Sequence, residues 1–251
     1  GRSGRPRPRG GPPRAPTPRP PPAGRRPGAA AGPGRHPGAR RRGCVPVPGA
    51  ERAGLRILIQ EPDLDPDELA ELAALAHRAV GPVLAEDPFS ATDLSHLAPR
   101  SWQMPVMLRP PAPVGEPVPD VIRVERPEDL RAAERIVIEA FELTGFEPHR
   151  PGEMFPPALV EQPGVDVFVA LRDGEPAGAG VSVVHDGVAS HYWIATSPAF
   201  RSRGVGRAVM LASLAHLPDL PATLTASKLG RPLYESLGYT TAAPSTWWAS
   251  H

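Results

Sequence analysis

Apolar residues between positions 62 and 80 recur at helical spacing, with Leu69, Leu72, Ala76 and Val80 on one face. This predicts a helix with one buried side. Its start is specified by Asp65 as cap, Pro66 at the first helical position and Glu68 three residues after the cap. From 81 to 111 the pattern is irregular, with one short strand expected at Pro105–Leu108. A short strand is expected at 121–124, and a helix over 127–143 with Pro127, Glu128 and Asp129 in its first turn. A weaker helix is expected near 157–162. The period then shortens to that of strands, over 166–172, 177–185 and 188–196. Asp173-Gly174 and Asp186-Gly187 separate the three, and Asp-Gly is a preferred tight hairpin turn. A helix over 204–217, a strand over 222–227, a helix over 230–239 and a strand over 245–250 follow. From 121 onward the order is β-α-α-β-β-β-α-β-α-β. The expected class is α/β (α+β), a mixed, mainly antiparallel sheet with crossover helices.

Composition divides the chain into unequal parts. Residues 1–50 hold 12 Arg, 14 Pro and 11 Gly and no acid, so the overall charge of +1 is +12 there and −11 on the rest. Such a segment has too little apolar surface to offset its chain entropy, and it reads as a disordered tail. Its arginines can neutralise phosphates, so it is the one part of the chain with a route to nucleic acid. It has no aromatic residue to stack on a base and no apolar core of a secretory signal. Residues 51–118 read as a small helical region with a linker, since six prolines fall between 105 and 119. Residues 119–251 form the main domain. The single cysteine, Cys44, excludes a disulfide framework or a cysteine zinc site. His77 and His96 have no partner at metal spacing, so no metal is expected. No run of about 18 apolar residues appears, and a cytoplasmic protein without a membrane span is expected.

The stretch "RSRGVGRA", Arg201 to Ala208, carries the clearest chemistry. It opens a helix after a strand. Glycines at 204 and 206 allow close approach and positive φ, and a helix start offers unpaired N–H groups to an anion. The dipole adds about 0.3–2 kcal/mol for a nearby negative charge. The spacing also fits part of a dinucleotide fingerprint. That fold needs the loop after its first strand, whereas here three hairpin-connected strands precede it and only 45 residues follow Gly206.

"WIATSPAFRSRGVGRAVM" followed by "LTASKLGRPLYESLGY" resembles the acyl-CoA-binding half of the GNAT N-acetyltransferase superfamily. Arg201, Gly204 and Gly206 match the superfamily's R/Q-x-x-G-x-G/A loop. Thr196 and Pro198 fall where members have V-x-P at the end of the fourth strand, and "LYESLGY" matches L-Y-x-x-x-G-F/Y of the last helix. The resemblance covers about 119–251. The Pro-rich "MPVMLRPP" joining an N-terminal segment to it resembles bacterial members with a degenerate N-terminal extension.

The resemblance implies acetyl-CoA as acyl donor and a primary amine, on a small molecule or protein, as acceptor, joined by direct attack in a ternary complex. It places the diphosphate on Arg201, Ser202, Arg203, Gly204, Val205, Gly206 and Arg207, and the pantetheine arm on the backbone of Ile194, Ala195 and Thr196. Tyr234 matches the usual general acid, and Ser227 stands where many members have Asn. Members with a Glu on the fourth strand use it as base, and "VASHYWIAT" has none. His191 has a suitable intrinsic pKa, but strand parity near a bulge leaves its direction open between the site and the core. Glu139, Glu142 and Glu147, near the end of the first domain helix, are the other candidates. The missing Glu also admits a second reading, a CoA-binding sensor or interaction module without catalysis.

Overall fold

The computed structural model describes residues 44–48, 52–115 and 119–250. The expected disorder of the tail falls on residues outside this set, except for Cys44–Pro48. These residues form a strand, β1, antiparallel to β2 (Leu55–Ile59). Helix α1 (Pro66–Arg78) carries the expected capping box, with Asp65 and Glu68 each accepting from the other's backbone N–H. It ends before Val80, which is exposed and not part of the buried face. Strands β3 (Val83–Asp87) and β4 (Arg100–Arg109) follow in the region read as irregular. Then come β5 (Val121–Arg123), α2 (Pro127–Ala140), and the meander β6 (Val165–Arg172), β7 (Glu175–His185) and β8 (Val188–Thr196). Helix α3 (Val205–His216), β9 (Ala222–Thr225), α4 (Arg231–Ser236) and β10 (Thr240–Ala249) complete the order. The helix expected near 157–162 is a single 3₁₀ turn, Pro157–Leu159. Helix α4 is shorter than expected because Gly238 turns left-handed at φ 88° and the Tyr239 amide closes back on the Tyr234 carbonyl.

Among the described residues the strands make one ten-stranded sheet in the order β1-β2-β3-β10-β4-β9-β8-β7-β6-β5. Only the β2–β3 and β8–β9 pairs are parallel, so the sheet is mixed and mainly antiparallel as expected. The last strand is inserted between β3 and β4 and ties the N-terminal strands to the rest. The proline-rich stretch read as a linker thus begins inside a strand, since Pro105 belongs to β4. Pro105 lies opposite Pro244 of β10, and their carbonyls point outward, to the Ala226 amide and the Ser90 hydroxyl. Neither missing N–H falls within the β4–β10 ladder, which is how a strand accommodates proline.

Helix α1 covers Leu55, Ile57 and Val83 through Leu72 on one face of the sheet. Helix α2 covers Val167, Val169, Ala179 and Val181 through Leu130, Ala133 and Val137. Helix α3 packs on the opposite face of the meander. It approaches β7 so closely that a Cβ on Gly178 would stand 2.3 Å from Val205, and one on Gly180 2.7 Å from Val209. Arg109, at the end of β4, is buried and donates to the Leu237 carbonyl at 2.8 Å and the Ala112 carbonyl at 3.0 Å. It thereby satisfies the end of α4.

His191, a candidate catalytic residue from the sequence, is inside this core. Its Nε2 lies 2.9 Å from the Ser213 hydroxyl of α3 and its Nδ1 3.2 Å from the Tyr239 hydroxyl. Only 4% of it is exposed. Both ring nitrogens are engaged, so strand parity turns it to the interior rather than to a substrate. Burial lowers its pKa to about 4, with Arg109 assisting and the Thr223 backbone opposing.

The folded state thus keeps His191 neutral, whereas an unfolded histidine takes a proton near pH 6.5. This contribution to stability is complete above pH 6.5 and declines as pH falls toward 4, by up to about 3 kcal/mol. Urea midpoints of the full chain and of His191→Gln, taken from pH 7 to 4.5, are expected to fall less steeply in the variant. Equal slopes would overturn the assignment.

Candidate functional site

Two parallel strands part company at the centre of the sheet. β8 and β9 pair only at Ala189↔Ala222 and Ser190↔Thr223, after which each follows its other neighbour. On the β8 side the cause is a bulge. Trp193 takes φ 54° and the register against β7 shifts between Ala179 and Val181. On the β9 side the strand stays with β4, pairing at Leu224↔Met107 and Thr225↔Val106, and the Ala226 amide donates to the Pro105 carbonyl.

Beyond the fork, the Ser197 amide donates to Ala177 of β7. By the alternation of strand edges, Ala195 also faces β7, while Ile194 and Thr196 turn their backbone groups into the gap. Of the three residues expected along the pantetheine arm, two therefore present free edges and Ala195, 3% exposed, anchors them.

The turn at 201–204 closes the mouth of this gap. Ser202 at φ 62° and Gly204 at φ 72° are both left-handed, and no side chain caps α3. A Cβ on Gly204 would meet nothing within 4 Å, so the turn faces open space. Arg201 and Arg203 are exposed. Arg201 donates to the Ala140 carbonyl at the end of α2 at 3.3 Å, and Arg203 lies over the Phe200 ring. Val205 is buried and seats the helix, while Arg207 reaches sideways to the Ser236 hydroxyl at 2.9 Å. Gly206 fits between Thr196 Oγ1 and Leu233, each 3.5 Å from its virtual Cβ.

The opposite wall comes from the loop after β9 and from α4. The Ser227 hydroxyl accepts from the Gly230 amide at 3.1 Å. A Cβ on Gly230 would lie 3.3 Å from both that hydroxyl and the Tyr234 hydroxyl, so the two groups flank one spot. Tyr234 is 8% exposed, and burial raises its pKa to about 12. Tyr234, Ser227, Gly206 and Thr196 are thus gathered around the fork, whereas His191 is not.

Of the acids considered from the sequence, Glu139 accepts from the Ser197 hydroxyl at 3.1 Å and is thereby held at the end of β8. Glu142 stands exposed at φ 53°, and Glu147 accepts from the His149 amide.

Sequence reading missed a different acid. Glu134 falls in the buried phase of α2 beside Leu130, Ala133 and Val137, where a carboxylate interrupting an apolar stripe is the available signal. Its oxygens accept from the amides of Gly152, Met154 and Phe155 at 2.8, 2.8 and 3.1 Å and lie 3.1 Å from His149 Nε2. Burial raises its pKa, but these amides and His149 outweigh it and hold the carboxyl below its ordinary value. The loop after α2 is thus fixed to the helix from within. Its far side is fixed by Arg52, which pairs with both Glu153 oxygens, donates to the Pro148 carbonyl at 3.1 Å and lies over Phe146.

A cleft of about 380 Å³ between Arg123, Leu130 and Asp166 lies beside the start of β6. Because β6 runs parallel to β8, that is the end of the sheet opposite the fork. Among the described residues no cluster of His, Cys, Asp and Glu has the geometry of a metal site, and no helix is long and apolar enough to cross a membrane.

Comparison with known proteins agrees with this geometry. Residues 163–241 match the family model described as an acetyltransferase (GNAT) domain. The fold is shared with a protein from Novosphingobium aromaticivorans assigned to the GNAT family, at 15% identity and a TM-score of 0.58 over 78% of this chain and 86% of that one. It is shared too with a GCN5-related N-acetyltransferase from Kribbella flavida, at 20% identity and a TM-score of 0.52 over 78% and 80% of the two chains. A third, from Sphaerobacter thermophilus, is 14% identical with a TM-score of 0.52 over 82% and 75%. No curated protein matches the chain. The segment 163–241, which matches the acetyltransferase (GNAT) domain model, contains the meander, the fork, the turn at the mouth of α3 and Tyr234.

Proposed function

We propose that the chain transfers an acetyl group from acetyl-CoA to a primary amine by direct attack while both substrates are bound. The observation that carries this reading is the fork between β8 and β9, with an uncapped left-handed turn at its mouth and a buried tyrosine on its far wall. The residues fit the donor. The open space at Gly204, the uncapped start of α3 and the exposed Arg201 and Arg203 suit a diphosphate. The free edges of Ile194 and Thr196 suit an extended amide-bearing arm. When bound, acetyl-CoA supplies an activated acyl carbon and a thiolate that leaves.

The chain's own groups then have defined tasks. A backbone amide of Ile194 or Thr196 donates to the acyl oxygen as negative charge grows on it. Tyr234 keeps its phenol protonated at neutral pH, since its pKa lies near 12, and gives that proton to the departing sulfur. The amine must lose a proton as its bond to carbon forms. Glu139, tied to the end of β8 through Ser197, is better placed to receive it than Glu142 or Glu147. Position and electrostatics are the protein's contribution, and the acyl chemistry belongs to the donor.

Calorimetric titration of the full chain with acetyl-CoA is expected to show saturable binding, and no heat at high micromolar ligand would overturn the proposal. Gly204→Glu, which puts a side chain and a negative charge at the mouth of α3, is expected to abolish that binding. Tyr234→Phe is expected to lower kcat about 10²-fold or more while leaving acetyl-CoA affinity within twofold. Unchanged turnover would remove Tyr234 as the acid. Binding of acetyl-CoA with no transfer to any amine would instead point to a non-catalytic CoA-binding module.

A further inference from the structure

The sheet face that carries α2 is covered by that helix only over the meander. Past the fork, the same face continues across β4, β10, β3 and β2, and the register places Tyr192, Val106, Met104, Trp102, Trp247 and Glu86 on it. Trp102 and Trp247 are stacked, with ring centroids 6.3 Å apart at 26°. Trp102 is 39% exposed and Tyr192 44% exposed. Trp247 is half-buried beneath Trp102, so the pair offers one open aromatic surface, and with Tyr192 this is a patch suited to a partner.

Three observations connect this platform to the fork. β4 is last paired with β9 at Val106↔Thr225, and Trp102 stands four residues further on, beyond the end of β9. Tyr192 stands on β8 two residues past the last β8–β9 pair and two before Ile194. The phenol also feels the far side of the gap. Burial raises the Tyr192 pKa, the Glu86 charge adds to the rise, and a hydrogen bond with Ser190 and the Arg56 charge oppose it. Tyr192 and the tryptophan pair therefore border the same gap from opposite sides. The loop after α2, pinned by Arg52 just before β2, bounds the open end of the face.

Charge on the platform narrows its ligand. Glu86 pairs with Arg56 at 3.1 Å, and the Arg56 guanidinium already lies over Trp247 at 5.3 Å. The two charges cancel, so Glu86 is not left for a cation, and Glu139 at the fork is the acid this face sets toward an amine. A ligand with a single cationic group fits this better than a polyamine or an aminosugar. A flat apolar body stacked on the rings would be held by area and ring geometry.

Building on the acetyl-transfer reading above, we propose that this face is the acceptor floor and that the acceptor is an arylalkylamine, a monoamine on a flat apolar body that lies on Trp102 and Tyr192 while its amine enters the fork.

The test compares 2-phenylethylamine and tryptamine with n-butylamine and spermidine, using the full chain, saturating acetyl-CoA and thiol release as readout. The arylalkylamines are expected to exceed the others in kcat/KM by about tenfold, and Trp102→Ala to shrink that ratio by about fivefold to tenfold through KM. Trp102→Phe is expected to restore most of it. Equal or better turnover of n-butylamine or spermidine, or a Trp102→Ala effect of the same size on every amine, would overturn the proposal. A second readout does not pass through catalysis. Titration of 2-phenylethylamine into the full chain is expected to quench tryptophan fluorescence, in Gly204→Glu as in the unaltered protein, and much less in Trp102→Ala. Quenching in an unaltered protein that itself fails to bind acetyl-CoA would sink the acetyl-transfer reading and keep the floor. Acetyl-CoA binding without quenching or arylalkylamine selectivity would do the reverse. A concentration-dependent dimer that Trp102→Ala dissolves, with no amine selectivity, would assign the platform to a second copy of the chain and overturn the proposal.

Discussion

Everything in the site depends on two parallel strands that stop bonding to each other after two residue pairs. A parallel pair that stays zipped leaves no free N–H or C=O between its strands. Here the bulge at Trp193 turns β8 away, while β9 stays paired with β4. The backbone groups so released lie near the centre of the ten-stranded sheet that the described residues form. The cost of leaving them unpaired is borne by the surroundings: α3 is pressed against β7 at two glycines, and Arg109 fastens the end of α4. The gap is stiff because its two walls are stiff.

The same sheet divides the work between its faces. On the α3 face lie the turn at 201–204, the His191–Ser213–Tyr239 group and the helix that carries Tyr234. On the α2 face lie Glu139, the loop held by Glu134, and the aromatic platform. A donor approaching over α3 and an acceptor approaching beside α2 would meet only at the fork. On the proposed reading, this would keep an acyl group away from water until both sides are filled.

Much of the C-terminal half was readable in advance because its signals are local. The Asp-Gly turns separate β6, β7 and β8, acids and Pro127 open α2, and the glycines announce the turn before α3. The N-terminal half was not, because its strands are specified by partners far along the chain. β4 is paired with β10 some 140 residues away, and its Pro105 reads as a breaker until Pro244 is seen opposite it. His191 could not be oriented because the bulge one turn of the strand later resets parity, and only Ser213 and Tyr239 show which side it takes. The platform was hidden for a related reason. Trp102 and Trp247 are separated by most of the domain, and a tryptophan doublet at 247–248 places one ring on each face without saying which face is open.

The position of β10 has a consequence for how the chain is made. β3 and β4 are synthesised long before the strand that lies between them, and until residues 240–249 emerge each has an open edge facing the other. Open edges of this kind pair readily with strands of other chains. Closure of the N-terminal sheet thus waits until residues 240–249 have been made, and pairings between strands this far apart in the chain form slowly. The Arg100 side chain stands at the tip of β4 along the waiting edge. Charge discourages a foreign strand from docking, so a residue with no part in the site helps guard the sheet while it is incomplete.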